Sequence, residues 1–268
     1  MADPIRVVVH GALGKMGREV VNSVCQDPEA RLVGAVDVRA KEEHLTLPRS
    51  CSSIPFSSDL ESVLRECRPN VLVDFTVAPA SMAAARVSLQ HKVGLVIGTT
   101  GLSPSDLGEI DRLAKEGGLG AVVASNFALG AVMMMHLARE AAKYFDWAEI
   151  IELHHEQKVD APSGTALSTA KAMVEARGRP FSYASPEKET LASARGGHIN
   201  GVGIHSVRMP GLSAHQEVIL GAPGQTLTIR HDTIDRRCYM PGVLLAVKKV
   251  GDLRGLVVGL DRLLGLNS

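Results

Sequence analysis

The chain has 268 residues, of which 45% are hydrophobic and 22% are charged, and its formal net charge at pH 7 is zero. A neutral chain has no general field to attract nucleic acid or an anionic membrane. An aromatic content of 3% also argues against a surface that stacks nucleic-acid bases. We therefore expect no nucleic-acid or membrane partner, and any anionic ligand must be held by a local cluster of donors. The length is sufficient for one large domain or two modest ones.

The cysteines indicate a reducing compartment. Cys25, Cys51, Cys67 and Cys238 include no CxxC pair and no spacing typical of metal ligands, so no disulfide framework is expected. No basic leader precedes the first strand pattern, and no run approaches the ~20 apolar residues that a membrane-spanning helix needs. The sequence therefore predicts a soluble, cytoplasmic protein.

Short apolar runs alternate with helical segments in the first half of the chain. In order, the sequence predicts strand 5–9, helix 15–26, strand 31–36, strand 71–75, helix 79–91, strand 93–97, helix 103–115 and strand 121–124. Residues 39–58 are polar and contain two prolines, which predicts a loop. Repeated alternation of strands and helices predicts a parallel sheet with right-handed crossovers.

The pattern changes after about Asn126. A helix, a strand and a second helix are followed by three strand-like runs that turn residues separate, with no helix between them. These elements are predicted at 129–145, 147–153, 163–175, 201–208, 215–220 and 226–231. Such spacing is typical of a mixed or mostly antiparallel sheet. The last helix, from about Pro241, and the run 256–260 are expected to return to the first domain.

Glycines 11, 14 and 17 lie between the first strand and the first helix, in the segment HGALGKMG. Glycine lets the backbone turn tightly and approach a pyrophosphate, and the positive end of the helix then favours the phosphate charge. The spacing is GxxGxxG and not the commoner GxGxxG. Taken alone, a plain glycine-rich turn is almost as consistent with it.

Asp37 favours the dinucleotide interpretation of this loop. It ends the second strand, roughly 20 residues beyond the glycines, where an acidic side chain bonds the adenosine ribose. A carboxylate at that point favours NAD over NADP. Val38 supplies no cation for a 2′-phosphate, and Arg39 is the nearby residue that could reach one. A simple strand-end turn residue is the weaker interpretation of Asp37.

Two further polar stretches follow predicted strands, Asp74-Phe75-Thr76 and residues 98–101 of sequence GTTG. Ligands bind outside the carboxyl ends of the strands in open α/β sheets, so small polar residues there suit a nicotinamide pocket. Either stretch could equally be a helix-entry turn, and only the upstream glycine motif favours a function for them.

The segment 152–166, ELHHEQKVDAPSGTA, leaves an apolar strand and enters a helix. The titratable imidazole of His154 and the cation of Lys158 suit proton donation beside an anionic substrate. Ser163 is a good N-cap residue, and the free amides of Gly164 and Thr165 would then form an anion site. Each feature alone is more often structural or solvated. A metal site at the paired histidines is not expected, because no third ligand has suitable spacing and Lys158 would repel a cation.

This segment resembles the signature of dihydrodipicolinate reductases, E-x-H-H-x-x-K-x-D-A-P-S-G-T-A, at every fixed position. The resemblance extends in the same order over nearly the whole chain, including residues 11–17, 74–76, 98–101, 125–127 and 231–242. It implies an α/β fold with a Rossmann-type parallel-sheet domain at 1–126, completed by about 241–268. It also implies a second, α+β domain with a mixed or antiparallel sheet at 127–240, which binds substrate and assembles a homotetramer.

The implied activity is the reduction of 4-hydroxy-tetrahydrodipicolinate, a cyclic imine dicarboxylate, with NAD(H) or NADP(H) on the diaminopimelate and lysine pathway. By resemblance His154 is the general acid/base and Lys158 the second proton donor. The implied substrate-binding residues are His155, Ser163, Gly164 and Thr165. The implied nucleotide-binding residues are Gly11, Ala12, Leu13, Gly14, Lys15, Met16, Asp37, Phe75, Gly98, Thr99, Thr100, Ala124, Ser125, Asn126 and Phe127.

Three positions depart from the family pattern. Many members have arginine where this chain has Val38, Val77 and Glu156. Because the first two departures remove cations that would favour NADPH, we expect NADH to be used well. Two other functions remain open from the residues alone. One is another Rossmann oxidoreductase with an aspartate-derived or sugar substrate, and the other is a nucleotide sensor without turnover, which would not need His154 and Lys158 beside an anion site.

Overall fold

The computed structural model describes residues 3–47 and 52–266, so Cys51 lies outside the described part of the chain. Contacts divide the chain into two compact units. The first unit contains the described residues up to Leu129 and those from Arg236 onward, and the second contains Gly130–Asp235. Within the described residues, no helix is both long enough and apolar enough to cross a lipid bilayer.

The first unit begins with alternating strands and helices. In chain order they are β1 (Ile5–His10), α1 (Lys15–Val24), β2 (Ala30–Val36), β3 (His44–Thr46), β4 (Ser53–Ser57), α2 (Leu60–Cys67), β5 (Val71–Asp74), α3 (Ala78–Gln90), β6 (Gly94–Ile97), α4 (Pro104–Gly117) and β7 (Gly120–Val123). The strands and helices that the sequence predicts in this half are confirmed to within a residue or two.

The remaining elements build the second unit and then return to the first. They are α5 (Leu129–Ala141), β8 (Trp147–His154), α6 (Gly164–Arg177), β9 (Gly197–Ile199), β10 (Val202–Arg208), β11 (Ala214–Ala222), β12 (Gln225–Thr233), α7 (Met240–Lys249), β13 (Gly255–Val258) and α8 (Leu260–Leu263). Short 3-10 turns lie at Ala142–Tyr144, Arg236–Tyr239 and Val250–Asp252.

The loop predicted over 39–58 is wrong, because its described residues include β3 and β4. β4 pairs in parallel with β2 through only two residue pairs, and β3 pairs antiparallel with β4. Ile54 and Phe56 of β4 are buried, but Pro55 and the flanking serines obscure this alternation in the sequence. The helix α2, whose first amides bond to the Asp59 carboxylate, was not predicted either.

The sheet of the first unit has the strand order β13-β7-β6-β5-β1-β2-β4-β3, and every pairing except that of β3 is parallel. Its central strands β5, β6 and β7 are buried throughout, as expected for a parallel sheet covered on both faces. The strand order reverses beside β1, since β2 lies on one side of it and β5 on the other. Ligands bind at the carboxyl ends of the strands at such a reversal.

The second unit has a five-stranded sheet of order β12-β11-β8-β10-β9. β8 pairs in parallel with β10 and antiparallel with β11, so the predicted mixed sheet is confirmed. One face packs a core that includes Ile150, Met173, Val218 and Leu220. Because side chains alternate along a strand, Glu152 and His154 continue the row of Ile150 along the same face of β8. An apolar strand thus delivers two titratable side chains at its carboxyl end.

Candidate functional site

Two positions of the glycine loop after β1 have no room for a side chain. Gly11 has φ +80°, and a Cβ there would lie 2.6 Å from the carbonyl oxygen of Phe75. A Cβ on Gly17 would lie 2.0 Å from the carbonyl oxygen of Gly11. These contacts let α1 start immediately behind the turn and pack against it. Glycine at these two positions therefore permits the tight connection between β1 and α1.

Among the described residues, no side chain caps the N-terminus of α1 by accepting a hydrogen bond from its first amides. Its N-cap residue is Gly14, which has no side chain to accept a hydrogen bond from the first amides. Such amides, at the positive end of a helix, are the usual partners of phosphate groups. Gly14, Lys15 and Met16 thus form a cradle whose shape and charge fit a dinucleotide pyrophosphate.

Asp37 lies beside this cradle and is 4% exposed. Its carboxylate accepts a hydrogen bond from the amide of Leu13 at 2.9 Å and bonds from the amide and Nε of Arg39 at 3.0 Å each. Burial alone would raise the pKa of Asp37, but the bonds from Arg39 and Leu13 outweigh it and lower the pKa. The side chain is therefore an anion that holds the glycine loop at the carboxyl end of β2.

A second buried carboxylate, Asp74, joins the ends of three neighbouring strands. It accepts hydrogen bonds from the hydroxyls of Thr99 at 2.7 Å and Thr76 at 2.8 Å, and the Nδ1 atom of His10 lies 2.8 Å from it. The amide of Thr76 donates in turn to the Thr99 hydroxyl at 2.8 Å. Burial would raise the pKa of Asp74, but His10, Ser81 and Thr99 lower it. This network fixes the loops that follow β1, β5 and β6.

Two aromatic rings, of Phe75 and Phe127, pack near each other in the loops that follow β5 and β7. A Cβ on Gly98 would lie 2.0 Å from the ring of Phe75, so this ring occupies the space left by glycine. The centroid of the Phe75 ring is 6.0 Å from that of Phe127. The carboxamide oxygen of Asn126 accepts the amide hydrogen of Ala128 at 2.8 Å and shapes the turn after β7, while Thr100 and Ser125 are exposed.

Glu152 is the centre of the polar cluster in the second unit and is 0% exposed. Its Oε2 atom lies 2.5 Å from Nδ1 of His154 and accepts a bond from Arg208 Nη1 at 2.9 Å. Its Oε1 atom accepts bonds from Arg208 Nη2 at 2.7 Å and from the Ser163 amide at 3.2 Å. Arg208 reaches Glu152 because the register of the sheet places Arg208 of β10 opposite His154 of β8.

The charges of this cluster set its protonation. Burial would raise the pKa of Glu152, but Arg208, Ser206 and His154 lower it, so the carboxylate is ionised. Because an ionised carboxylate only accepts hydrogen bonds, Nδ1 of His154 must carry a hydrogen and Nε2 is the nitrogen left for a substrate. Burial lowers the pKa of His154 and Glu152 opposes this, while Lys158 and Arg208 lower it further.

The loop after β8 places a cation next to this imidazole. A turn closes from the carbonyl of His155 to the amide of Lys158, at 3.2 Å. The Nζ atom of Lys158 donates to Asp160 at 2.7 Å, and the Asp160 carbonyl accepts a bond from Arg208 at 2.7 Å. The hydrogen bond from Lys158 lowers the pKa of the Asp160 carboxyl. His155 itself is exposed.

The helix α6 begins beside the same cluster. The hydroxyl of Ser163 caps it by accepting the amide hydrogen of Ala166 at 3.2 Å, as the sequence predicts. Gly164 is exposed, and a Cβ added to it would meet nothing within 4 Å. The amides of Gly164 and Thr165 therefore lie at an open helix start, which suits a carboxylate.

Both halves of the chain match sequence models of one family. The model described as "Dihydrodipicolinate reductase, N-terminus" matches residues 5–127, and that described as "Dihydrodipicolinate reductase, C-terminus" matches residues 130–264. The chain belongs to the dihydrodipicolinate reductase family. The family resemblance, the α/β fold class and the assignment as an NAD(P)H-dependent oxidoreductase are therefore confirmed.

Relatives in this family match the chain over almost its full length. The 4-hydroxy-tetrahydrodipicolinate reductase of Dehalococcoides mccartyi is 57% identical, over 98% of this chain and 99% of its own. That of Moorella thermoacetica is 51% identical, over 98% and 99%. The solved dipicolinate-bound dihydrodipicolinate reductase of Paenisporosarcina sp. TG-14 is 42% identical with a TM-score of 0.87, over 97% and 99%. An amine dehydrogenase of Mycobacterium smegmatis, 18% identical over 96% and 95% with a TM-score of 0.65, shares the fold.

Sequence reasoning missed three residues of these networks. Arg208 was not singled out, and Glu152 was named only as a letter of the family signature. His10 was named only as the start of the glycine loop, although it pairs in register with Asp74. The signal in the sequence was that each of these titratable or charged side chains lies near the end of a strand. Its partner lies near the end of a neighbouring strand. Among the described residues, no group of three or more His, Cys, Asp and Glu side chains is arranged to hold a metal ion.

The glycine loop generates a direct test. We expect Gly17→Ala to lower NADH affinity about tenfold or more and to destabilise the protein by ~1–3 kcal/mol, because the new methyl group forces the loop apart. NADH fluorescence titration and thermal unfolding measure the two effects.

The matched control is Gly108→Ala on the exposed face of α4, where an added Cβ has no atom within 4 Å. This control should bind NADH normally and gain ~0.5–1 kcal/mol of stability. Equal NADH affinity in both variants would contradict the placement of the nucleotide.

Proposed function

We propose that this protein reduces 4-hydroxy-tetrahydrodipicolinate to tetrahydrodipicolinate with NADH or NADPH, as a step of diaminopimelate and lysine biosynthesis. The observation that carries the proposal is the cluster of the second unit, in which the buried carboxylate of Glu152 accepts bonds from the ring of His154 and from the Ser163 amide at the open start of α6. Lys158 joins this cluster through Asp160, whose carbonyl is bonded by Arg208, the ion-pair partner of Glu152. The full-length relatives with the corresponding name support it. So does the solved relative, whose bound dipicolinate is a cyclic dicarboxylate.

We assign the two tasks of the reaction to different parts of the chain. Residues 1–126, completed by about 241–268, act as the dinucleotide-binding domain. The residues proposed to contact the nucleotide are Gly11, Ala12, Leu13, Gly14, Lys15, Met16, Asp37, Phe75, Gly98, Thr99, Thr100, Ala124, Ser125, Asn126 and Phe127. Residues 127–240 act as the substrate-binding and oligomerisation domain, in which His155, Ser163, Gly164 and Thr165 bind substrate.

The charges of the second unit suit a dianionic ring. The ammonium of Lys158 has three hydrogens, of which Asp160 takes one, so the others are available to a substrate carboxylate. The amides of Gly164 and Thr165 offer a second anion site at the positive end of α6. His155 is an exposed donor in the same loop. Two carboxylates of one ring can thus be held by groups that belong to a single loop and helix start.

The reaction needs a hydride and a proton. A nucleotide held by the glycine loop would supply the hydride for the conjugated imine that forms when the hydroxylated ring loses water. Protonated His154 supplies the proton from Nε2 to the ring-nitrogen side of that conjugated system, and is left as a neutral imidazole whose Nδ1 still donates to Glu152. Lys158 offsets the negative charge that develops on the ring and acts as the second proton donor.

The two proton donors can be tested directly. We expect His154→Ala and Lys158→Ala each to lower turnover by ~10²–10⁴-fold, because each removes a group that donates in the transition state. The assay follows loss of NADH absorbance when dihydrodipicolinate synthase, pyruvate and aspartate semialdehyde generate the substrate. Lys171→Ala on the exposed face of α6 is the matched control and should keep full activity.

Two outcomes of this assay would count against the proposal. Near-normal rates in both variants, with the fold intact, would contradict the assignment of the donors. No turnover by a parent protein that still binds NADH would contradict the proposed function and favour the nucleotide-sensor interpretation.

We also propose that NADH is used at least as well as NADPH. The ionised Asp37 would repel a 2′-phosphate, and Val38, which is 82% exposed, offers no cation to it. Arg39 is the nearby cation, and its guanidinium is already paired with Asp37.

The nucleotide preference generates a charge-specific prediction. We expect Val38→Arg to lower the KM for NADPH about fivefold to tenfold, or ~1–1.4 kcal/mol, because solvent at this exposed position weakens the ~1.5–3 kcal/mol of a hydrogen bond to a charged group. The KM for NADH should stay within about twofold of the parent value, since NADH has no 2′-phosphate for the new charge to bind. Val38→Gln adds a side chain without the charge and should leave both values unchanged. An equal effect of Arg and Gln would show that size, and not charge, governs this position.

Finally, we propose that the protein is a cytoplasmic homotetramer assembled through the sheet of the second unit. The face of the sheet that turns away from the core residues carries Ile151 and Leu153 of β8 and Ile219 of β11, each partly exposed. Covering these side chains with another copy would remove apolar surface from water. Light scattering should return four times the chain mass of 28.4 kDa, and a monomer would contradict the assembly.

A further inference from the structure

Glu152 occupies a place where an aliphatic side chain would be expected. It follows Ala148 and Ile150 in the row of β8 side chains that face the core, and all three are buried. A lone carboxylate in such a position is strongly unfavourable unless it is paired and hydrogen-bonded. A residue that only had to fill this space would be apolar, so the charge calls for a functional explanation.

Hydrogen bonds to Glu152 come from separate parts of the proposed substrate site. One comes from the ring of His154, the proton donor. Another comes from the amide of Ser163, the cap of the helix whose first amides would hold a carboxylate. Two more come from Arg208, which also donates to the carbonyl of Asp160 and so holds the loop that carries Lys158.

Glu152 cannot contact a substrate, because none of its surface is exposed. It acts through its partners. The bond to Nδ1 fixes the orientation and tautomer of the His154 ring, so that Nε2 is the nitrogen that can reach a substrate. We propose that Glu152, with the partly exposed Arg208 as its counter-ion, is the positioning residue that holds the proton donor and the anion-binding helix start of this site at fixed positions relative to each other. This inference rests on the proposed function.

Electrostatics adds a second effect of the same residue. The charged groups that face His154 are Glu152 on its own strand, Lys158 and Asp160 in the following loop, and Arg208 on β10. Of these, Glu152 raises the pKa of His154, whereas burial, Lys158 and Arg208 lower it. The imidazole donates a proton only when protonated, so its activity falls as pH rises through its pKa. Loss of the Glu152 charge must therefore move that fall in activity to lower pH.

The principal test is Glu152→Gln, measured over a range of pH in the coupled assay. The variant keeps the shape of the side chain but removes its charge. We expect kcat to fall ~10²-fold near neutral pH, as for loss of a working proton donor, with the KM for NADH unchanged. The alkaline fall of kcat/KM should move to lower pH, so that the deficit against the parent narrows as pH falls. Glu175→Gln, the same change on the exposed face of α6, should match the parent throughout.

The outcomes separate this inference from the proposed function. A parent without turnover would contradict the proposed function itself. An active parent together with an equally active Glu152→Gln would overturn the positioning role alone. A deficit in Glu152→Gln that is the same at every pH would mark a merely structural role, and would also overturn the inference.

A second variant covers the possibility that Glu152→Gln does not fold, because the amide would face the donors of Arg208. Glu152→Met with Arg208→Met removes both partners of this ion pair, of which only Glu152 is fully buried, and replaces them with apolar side chains of similar length, a change that buried ion pairs often tolerate. We expect this double variant to fold and to bind NADH like the parent, yet to turn over ~10²-fold more slowly. Full activity in the folded double variant would overturn the inference.

Discussion

A charge that is wholly removed from solvent must be neutralised, and its lone pairs must be occupied, before the surrounding chain can be stable. Glu152 places this requirement in the central strand of the second unit's sheet. Arg208 neutralises it, and the ring of His154 and the amide of Ser163 occupy the remaining positions. The unit therefore cannot reach its stable state without ordering the parts that we propose handle the substrate. Preorganisation of this kind is what proton transfer and anion binding require.

Buried carboxylates also lie at the carboxyl ends of strands in the first unit. Asp74 is 1% exposed and joins β1, β5 and β6 through His10, Thr76 and Thr99. Asp37 likewise holds the glycine loop by the amide of Leu13. In both units, carboxylates buried at strand ends fix loops whose own sequences are rich in glycine and small polar residues. Such loops have little apolar surface of their own, so these polar contacts hold them in place.

The sequence predicts most of this fold because buried parallel strands have continuous apolar runs. Val7, Val8 and Val9 in β1 are an example, and the capped helix α6 begins where Ser163 predicts. It fails at β4, where two pairs with β2 and an interrupting proline leave no such run. Likewise His154, Lys158, Gly164 and Thr165 can be singled out because they lie within one short segment. Arg208 cannot, since it meets Glu152 only through the register of β10 and β8, 56 residues apart.

The most direct test of this account is the tautomer of His154. Nitrogen NMR of protein labelled in its histidines reports which ring nitrogen carries the hydrogen, and the His154 signals are assigned by their loss in His154→Gln. If Glu152 orients the ring, then at a pH above the pKa of His154 the neutral imidazole holds its hydrogen on Nδ1 and leaves Nε2 bare. A ring with its hydrogen on Nε2, or a mixture of the two tautomers, would show that Glu152 does not orient the proton donor.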